Sequence, residues 1–284
     1  VWLSLLLVGC VVLAGCGGAP TGSTPTGTMS GETTTGTATA SPTQTVTMTE
    51  TTDDEAALEA TTLTDRHRSA LRDRSYEARF SFSVDLPNGT AGIAERRIVD
   101  RASGLALDNR TTTLTDANST SSHVRTRFTT LGNGTTYERL GGTDYATVYS
   151  DTDGDGTSTT PIDASDLGGS VVGAAASVDW TRAGTETVDG VTVTRYEATG
   201  PESVRQFREA TDFGESALNR VETAETASAT LLVDEDSVVR QFSLTLAGTT
   251  DGQATTVTLD VAFSNVGSAT VDPPAWLNDA KQNT

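Results

Sequence analysis

From Asp53 onward, apolar residues first recur at helical spacing and then switch to alternation. Asp53, Asp54 and Glu55 place acids where a helix dipole favours them, and Ala56, Ala60, Leu63, His67, Ala70 and Leu71 form one stripe. That spacing predicts a helix over about 54–73. Tyr76, Ala78, Phe80, Phe82 and Val84 then alternate with Glu77, Arg79, Ser81 and Ser83, the pattern of a strand with one buried face, closed by the turn residues Pro87-Asn88-Gly89. Similar patterns predict strands near 91–100, 104–114, 122–131, 134–140 and 144–150, with Asn133-Gly134 as a hairpin turn. Residues 163–179 break the series: Ile162, Leu167, Val171, Val172, Ala175 and Val178 predict a helix rich in small residues, N-capped by Asp163 or Ser165. A hairpin over 185–199 turns at Asp189-Gly190, and a short helix over 201–210 carries Val204 and Phe207. Strands follow at 226–234, 238–248 and 254–264; Phe242, Leu244 and Leu246 share one face, as do Val257, Leu259, Val261 and Phe263. Pro273-Pro274 is expected to end regular structure ahead of Trp276. The fold class is α+β, with a single large antiparallel sheet in one domain over 53–284.

The first residues differ in kind. Residues 1–15, VWLSLLLVGCVVLAG, are uncharged, the size of a signal-peptide core and short for a membrane-spanning helix. The start at Val1, without a basic leader, points either to a non-AUG start or to missing upstream residues. The run ends in Leu13-Ala14-Gly15-Cys16, which resembles the lipobox of secreted lipoproteins, where the chain is cut before a cysteine whose thiol then carries lipid. The competing reading is a plain secretory signal or an N-terminal anchor helix. The other cysteine, Cys10, would leave with the signal, so the mature chain could form no internal disulfide. Residues 16–52 follow as the lipidated Cys and a linker; Thr fills 15 of the 36 positions after Cys16, and the run is too poor in apolar residues to offset ordering entropy. It is expected to be a disordered tether with a reach of about 35 Å, either bare or stiffened by sugars.

Composition narrows the setting. The formal charge is −19, from 38 acids against 19 basic residues, of which 18 are Arg and one is Lys281. An acidic surplus of this size excludes a nucleic-acid groove as the main business. High salt would screen the self-repulsion of such a surface, so the balance resembles proteins of extremely halophilic archaea; an ordinary acidic protein short of Lys is the alternative.

The lipobox, the Thr-rich tether, a helix carrying His67 and Leu71 and a strand led by Tyr76 together resemble a group of haloarchaeal lipoproteins of unassigned function. The order of elements is also similar to the LolA, LppX and LprG group. That resemblance implies a curved antiparallel half-barrel with helices on its concave side, enclosing a greasy cavity for lipid or acyl chains. It supplies no motif from which lining residues could be transferred.

Candidate chemistry is sparse. His67 lies on the apolar stripe and reads as a packed histidine, and His123 as a surface or hairpin residue, rather than as ligands or bases. There is no Gly-x-Ser-x-Gly, phosphate loop or dinucleotide fingerprint, so no catalytic residue and no cofactor is assigned and an enzyme is not expected. Asp151, Asp153 and Asp155, followed by Gly156, resemble the first half of a calcium loop, but Ile162 stands where the bidentate Glu belongs and Asp163 comes one residue late. An acidic hairpin loop is the favoured alternative. Asn88, Asn109, Asn118 and Asn133 open glycosylation sequons. The expected function is that of a lipid-anchored, cell-surface binding protein for a lipid or other apolar ligand. A structural or adhesive envelope lipoprotein with a surface-layer partner is the alternative.

Overall fold

The computed structural model describes residues 60–143, 145–152, 167–210, 218 and 221–284. Among these, eleven strands, all paired antiparallel with their neighbours, form one sheet: β1 (Tyr76–Leu86), β2 (Gly89–Asp100), β3 (Leu105–Asp116), β4 (Thr120–Thr130), β5 (Thr136–Gly142), β6 (Tyr145–Thr152), β7 (Thr181–Val188), β8 (Val191–Thr199), β9 (Thr223–Asp234), β10 (Val239–Thr250) and β11 (Gln253–Ser264). Four helices accompany them: α1 (Ala60–Arg72), α2 (Leu167–Ala175), α3 (Arg205–Ala210) and α4 (Leu277–Asn283). The expected signal, tether, Asp163 or Ser165 cap and calcium-loop residues Asp153 and Asp155 lie outside the described residues.

The spatial order is β6-β5-β4-β3-β2-β1-β11-β10-β9-β8-β7. Two meanders are therefore joined where the first strand pairs with the last, Phe80 opposite Val261 and Phe82 opposite Leu259. Among the described residues the sheet does not close, and β6 and β7 are its edges. So many twisted strands cannot lie flat, and the sheet curls into an open half-barrel. Tight hairpins set the register. Asp189-Gly190 and Asp251-Gly252 both hold two successive residues at positive φ (51° and 80°; 51° and 72°), the geometry that matches strand twist across a two-residue turn.

The inner face is the one that α1, α2 and α3 cover. Phe80, Phe82, Val84, Phe242, Leu244, Leu246, Val257, Leu259 and Val261 are buried there, with Val171 and Val172 of α2 and Phe207 of α3 packed over them. Phe242 is the hub, with Trp180 edge-on at 6.2 Å and Phe207 at 5.3 Å between ring centres. The stripe on α1 is Leu63, His67 and Leu71, all buried at i, i+4 and i+8.

Pro273-Pro274 does not end regular structure: α4 follows and covers the opposite, outer face over β5 and β6. The two prolines end only the extended segment, and Trp276 starts a new helix whose Leu277 and Ala280 are buried. Ile98, Leu107, Phe128 and Tyr137 form one outward row across four strands. Val271 and Leu277 seal that row as a second, smaller core. Trp276 stacks on Tyr149 at 6.4 Å and Lys281 lies 5.6 Å above the Tyr137 ring. Asp100 ties the tail down, accepting hydrogen bonds from the backbone N–H groups of Val271, Ala102 and Ser103.

Candidate functional site: the charged half of the inner face

The inner face is apolar over β1 and β9–β11, with Ile93 of β2 beside Phe82, and turns charged beyond. Following the cross-strand register outward from Phe80, the same row continues as Glu95, Arg110, Arg125, Leu140 and Val148 on β2 to β6. The next row runs from Ala78 through Arg97, Asp108, Arg127 and Glu138. Strand pleating puts all of these side chains on the face that the three helices share. Four arginines thus meet three carboxyls on one stretch of sheet.

Most of the charges are paired. Arg97 bonds Asp108 Oδ2 through Nε at 3.0 Å and its terminal nitrogen at 2.6 Å, and reaches Glu95 at 3.2 Å. Arg127 Nε donates to Glu138 at 2.6 Å. Burial comes first, and the neighbouring Asp108 second, in pushing the Glu95 carboxyl up to about 7. On the outer face Glu77 shows the opposite: hydrogen bonds from Arg96, followed by those from Arg79, hold it down near 2 against the cost of burial. One carboxyl is a settled ion pair. The other shares Arg97 with a second acid.

Arg125 is the less satisfied arginine; Arg110 has Glu95 across from it on β2 and Arg125 across from it on β4. Arg110 and Arg125 are direct cross-strand partners, and like charges placed opposite each other repel. Arg125 Nε is buried without a hydrogen-bond partner; Glu138 stands 3.9 Å away and takes its short bond from Arg127 instead. Burial and the nearby Arg127 lower the Arg125 pKa. Asp108 Oδ1 is also buried and unbonded. Beyond this cluster Leu140 and Val148, opposite each other at the β5–β6 edge, are 42% and 55% exposed on the same inner face.

The residues singled out by sequence fall elsewhere. His67 is buried; its Nδ1 accepts the backbone N–H of Val239 at 3.1 Å, and its ring meets Phe263 edge-on at 4.6 Å, so it is a packed core residue. His123 is exposed on β4, on the inner face. Asn88, Asn109, Asn118 and Asn133 are all exposed; Asn88, Asn118 and Asn133 stand in turns between strands, whereas Asn109 lies within β3. Asp151 is exposed near the end of β6, opposite Tyr137. Among the described residues no His, Cys, Asp and Glu side chains gather in a group able to hold a metal, and no helix is long and apolar enough to cross a membrane. Sequence reading misses the charged rows because they appear only when β2 to β5 are laid side by side. The local signal is the unusual run of Arg and Glu at alternating positions in strands otherwise read as half-buried.

Residues 2–280 match the model of a family of unknown function, DUF7537. The chain belongs to that family. No curated protein matches it. Among solved structures it is similar to LprF from Mycobacterium bovis, at 14% identity and a TM-score of 0.36, over 76% of this chain and 96% of that one. It is also similar to the lipoprotein LppX from Mycobacterium tuberculosis, at 14% identity and a TM-score of 0.33, over 77% and 99%. A DUF1329 family protein from Desulfovibrio piger gives 10% identity and a TM-score of 0.25, over 81% and 100%.

Proposed function

We propose that this family member is a non-catalytic, extracytoplasmic binding protein, held to the membrane by lipid on Cys16 and carrying a lipid or other apolar ligand on the inner face of its sheet. The observation that carries the reading is the exposed pair Leu140 and Val148 on the same face as the helix-covered core. Apolar side chains left open on the inner side of a curved sheet are where a greasy ligand gains most from leaving water. Support for the anchor comes from Leu13-Ala14-Gly15-Cys16 after an uncharged apolar run, and the acidic, Arg-biased composition supports a halophilic source. The exposed turns at Asn88, Asn118 and Asn133 suit sugar attachment.

One preparation tests both parts. The full chain carrying Cys16→Ser should move from the membrane pellet to the soluble fraction. Its native mass spectrum should then show a bound apolar mass that organic extraction removes. A variant that stays in the pellet overturns the anchor. A bare mass, with no change in melting temperature on adding dodecanol, overturns the carrier reading in favour of a structural envelope protein that binds surface-layer chains.

A further inference from the structure

The unsettled part of the inner face has a definite sign. Glu95, Asp108 and Glu138 oppose Arg97, Arg110, Arg125 and Arg127, leaving an excess of one positive charge when all are ionised, in a chain whose total is −19. Arg97 and Arg127 donate the hydrogen bonds to Asp108, Glu95 and Glu138. Arg110 and Arg125 face each other across β3 and β4; Glu95 stands across from Arg110 on its other side, and Glu138 lies 3.9 Å from Arg125, whose buried Nε has no hydrogen-bond partner. Adjacent guanidinium groups are costly alone and favourable around an anion, which each can grip through two parallel N–H donors.

We propose that Arg110 and Arg125 form the head-group site for an anionic amphiphile, binding a phosphate or carboxylate group while the alkyl tail runs along Leu140 and Val148. The register sets the path: Leu140 is the next residue across from Arg125, and Val148 the next after that, so about 10 Å separates the charged end from the far apolar side chain. This inference rests on the carrier reading above and narrows it from any apolar ligand to one with an acidic head. The neighbouring Glu95 adds a pH dependence. With its carboxyl raised to about 7, it becomes neutral on mild acidification, which leaves Arg97, Arg110, Arg125 and Arg127 facing Asp108 and Glu138 and makes the site more positive.

The experiment is a ligand series on the full chain, read by calorimetry and by shift in melting temperature: dodecyl phosphate (head and tail), dodecanol (tail only) and inorganic phosphate (head only). Dodecyl phosphate is expected to bind at least about tenfold more tightly than dodecanol, the worth of one charged hydrogen-bonding interaction. Arg125→Gln and Arg110→Gln should each bring dodecyl phosphate down to the affinity of dodecanol for the same variant, and Arg125→Lys should restore part of the difference. Equal affinity for dodecyl phosphate and dodecanol in the unaltered chain overturns the head-group site while the carrier reading stands. Binding of inorganic phosphate as tight as that of dodecyl phosphate overturns the amphiphile in favour of a free-anion site. No binding of any of the three overturns both. Should a Gln variant fail to fold, the three-ligand ranking on the unaltered chain decides.

Discussion

Replacing His67 with asparagine should flatten the acid dependence of stability. The imidazole sits 3% exposed under α1, accepts the Val239 N–H through Nδ1 and touches Phe263 edge-on. Burial first, and then the charges of Arg68 and Arg240, lower its pKa from 6.5 to about 4. In the unfolded chain the ring takes up a proton below pH 6.5; in the folded chain it does so only near 4. Its contribution is therefore complete above 6.5 and lost as the pH falls through 4, a loss of about 3 kcal/mol across that window. In the His67→Asn variant the introduced amide oxygen can occupy the place of Nδ1 and keep the bond from Val239, but it does not titrate. The lost ring contacts add a pH-independent cost on the order of 1–3 kcal/mol. Urea unfolding followed by tryptophan fluorescence between pH 4 and 7.5 would give the difference between the two proteins at each pH. The stability of the unaltered chain minus that of the variant should fall by about 3 kcal/mol on going from pH 7 to pH 4, reaching zero or changing sign. A difference that stays constant across the range would refute the account of His67 as a neutral, buried acceptor.

Glu95→Gln should act with the opposite sign over a similar window. Because its folded pKa is raised to about 7, the native carboxyl contributes most below 4.5 and loses that contribution as the pH rises through 7, so the variant should gain on the unaltered chain between those values in the same urea series. Phe242→Ala removes a fully buried ring that touches both Trp180 and Phe207, and should cost about 3–5 kcal/mol in urea unfolding with a change in native tryptophan emission. Gly248→Ala, at the irregularity where β10 shifts register against β9, would drive a methyl into the Thr223 carbonyl and to 2.9 Å from Val221 Cγ1; a fall in melting temperature worth about 1–3 kcal/mol is expected.

The alternation of Phe80, Phe82 and Val84, and of Phe242, Leu244 and Leu246, is a property of neighbours along the chain. It is therefore enough to place most of the strands within two or three residues and to assign the buried side of β1, β10 and β11. The same holds for His67: its place on the stripe between Leu63 and Leu71 already makes it a packed residue rather than a ligand. Turns with Asp-Gly or Asn-Gly carry their own backbone demand, and Asp189-Gly190 meets it. Trp276 is misjudged beside Pro273-Pro274 because what makes a helix of Leu277–Asn283 is the outer row of Ile98, Leu107, Phe128 and Tyr137 waiting to be covered, far away in sequence. The charged rows are out of reach for a similar reason. Glu95, Arg110, Arg125 and Leu140 lie fifteen residues apart in succession, and only hairpin register sets them side by side. Local chemistry thus determined which side of β1, β10 and β11 is buried. The stacking of strands decided which charges face one another, because electrostatic cost and ligand affinity depend on distances across the sheet that no stretch of chain contains by itself.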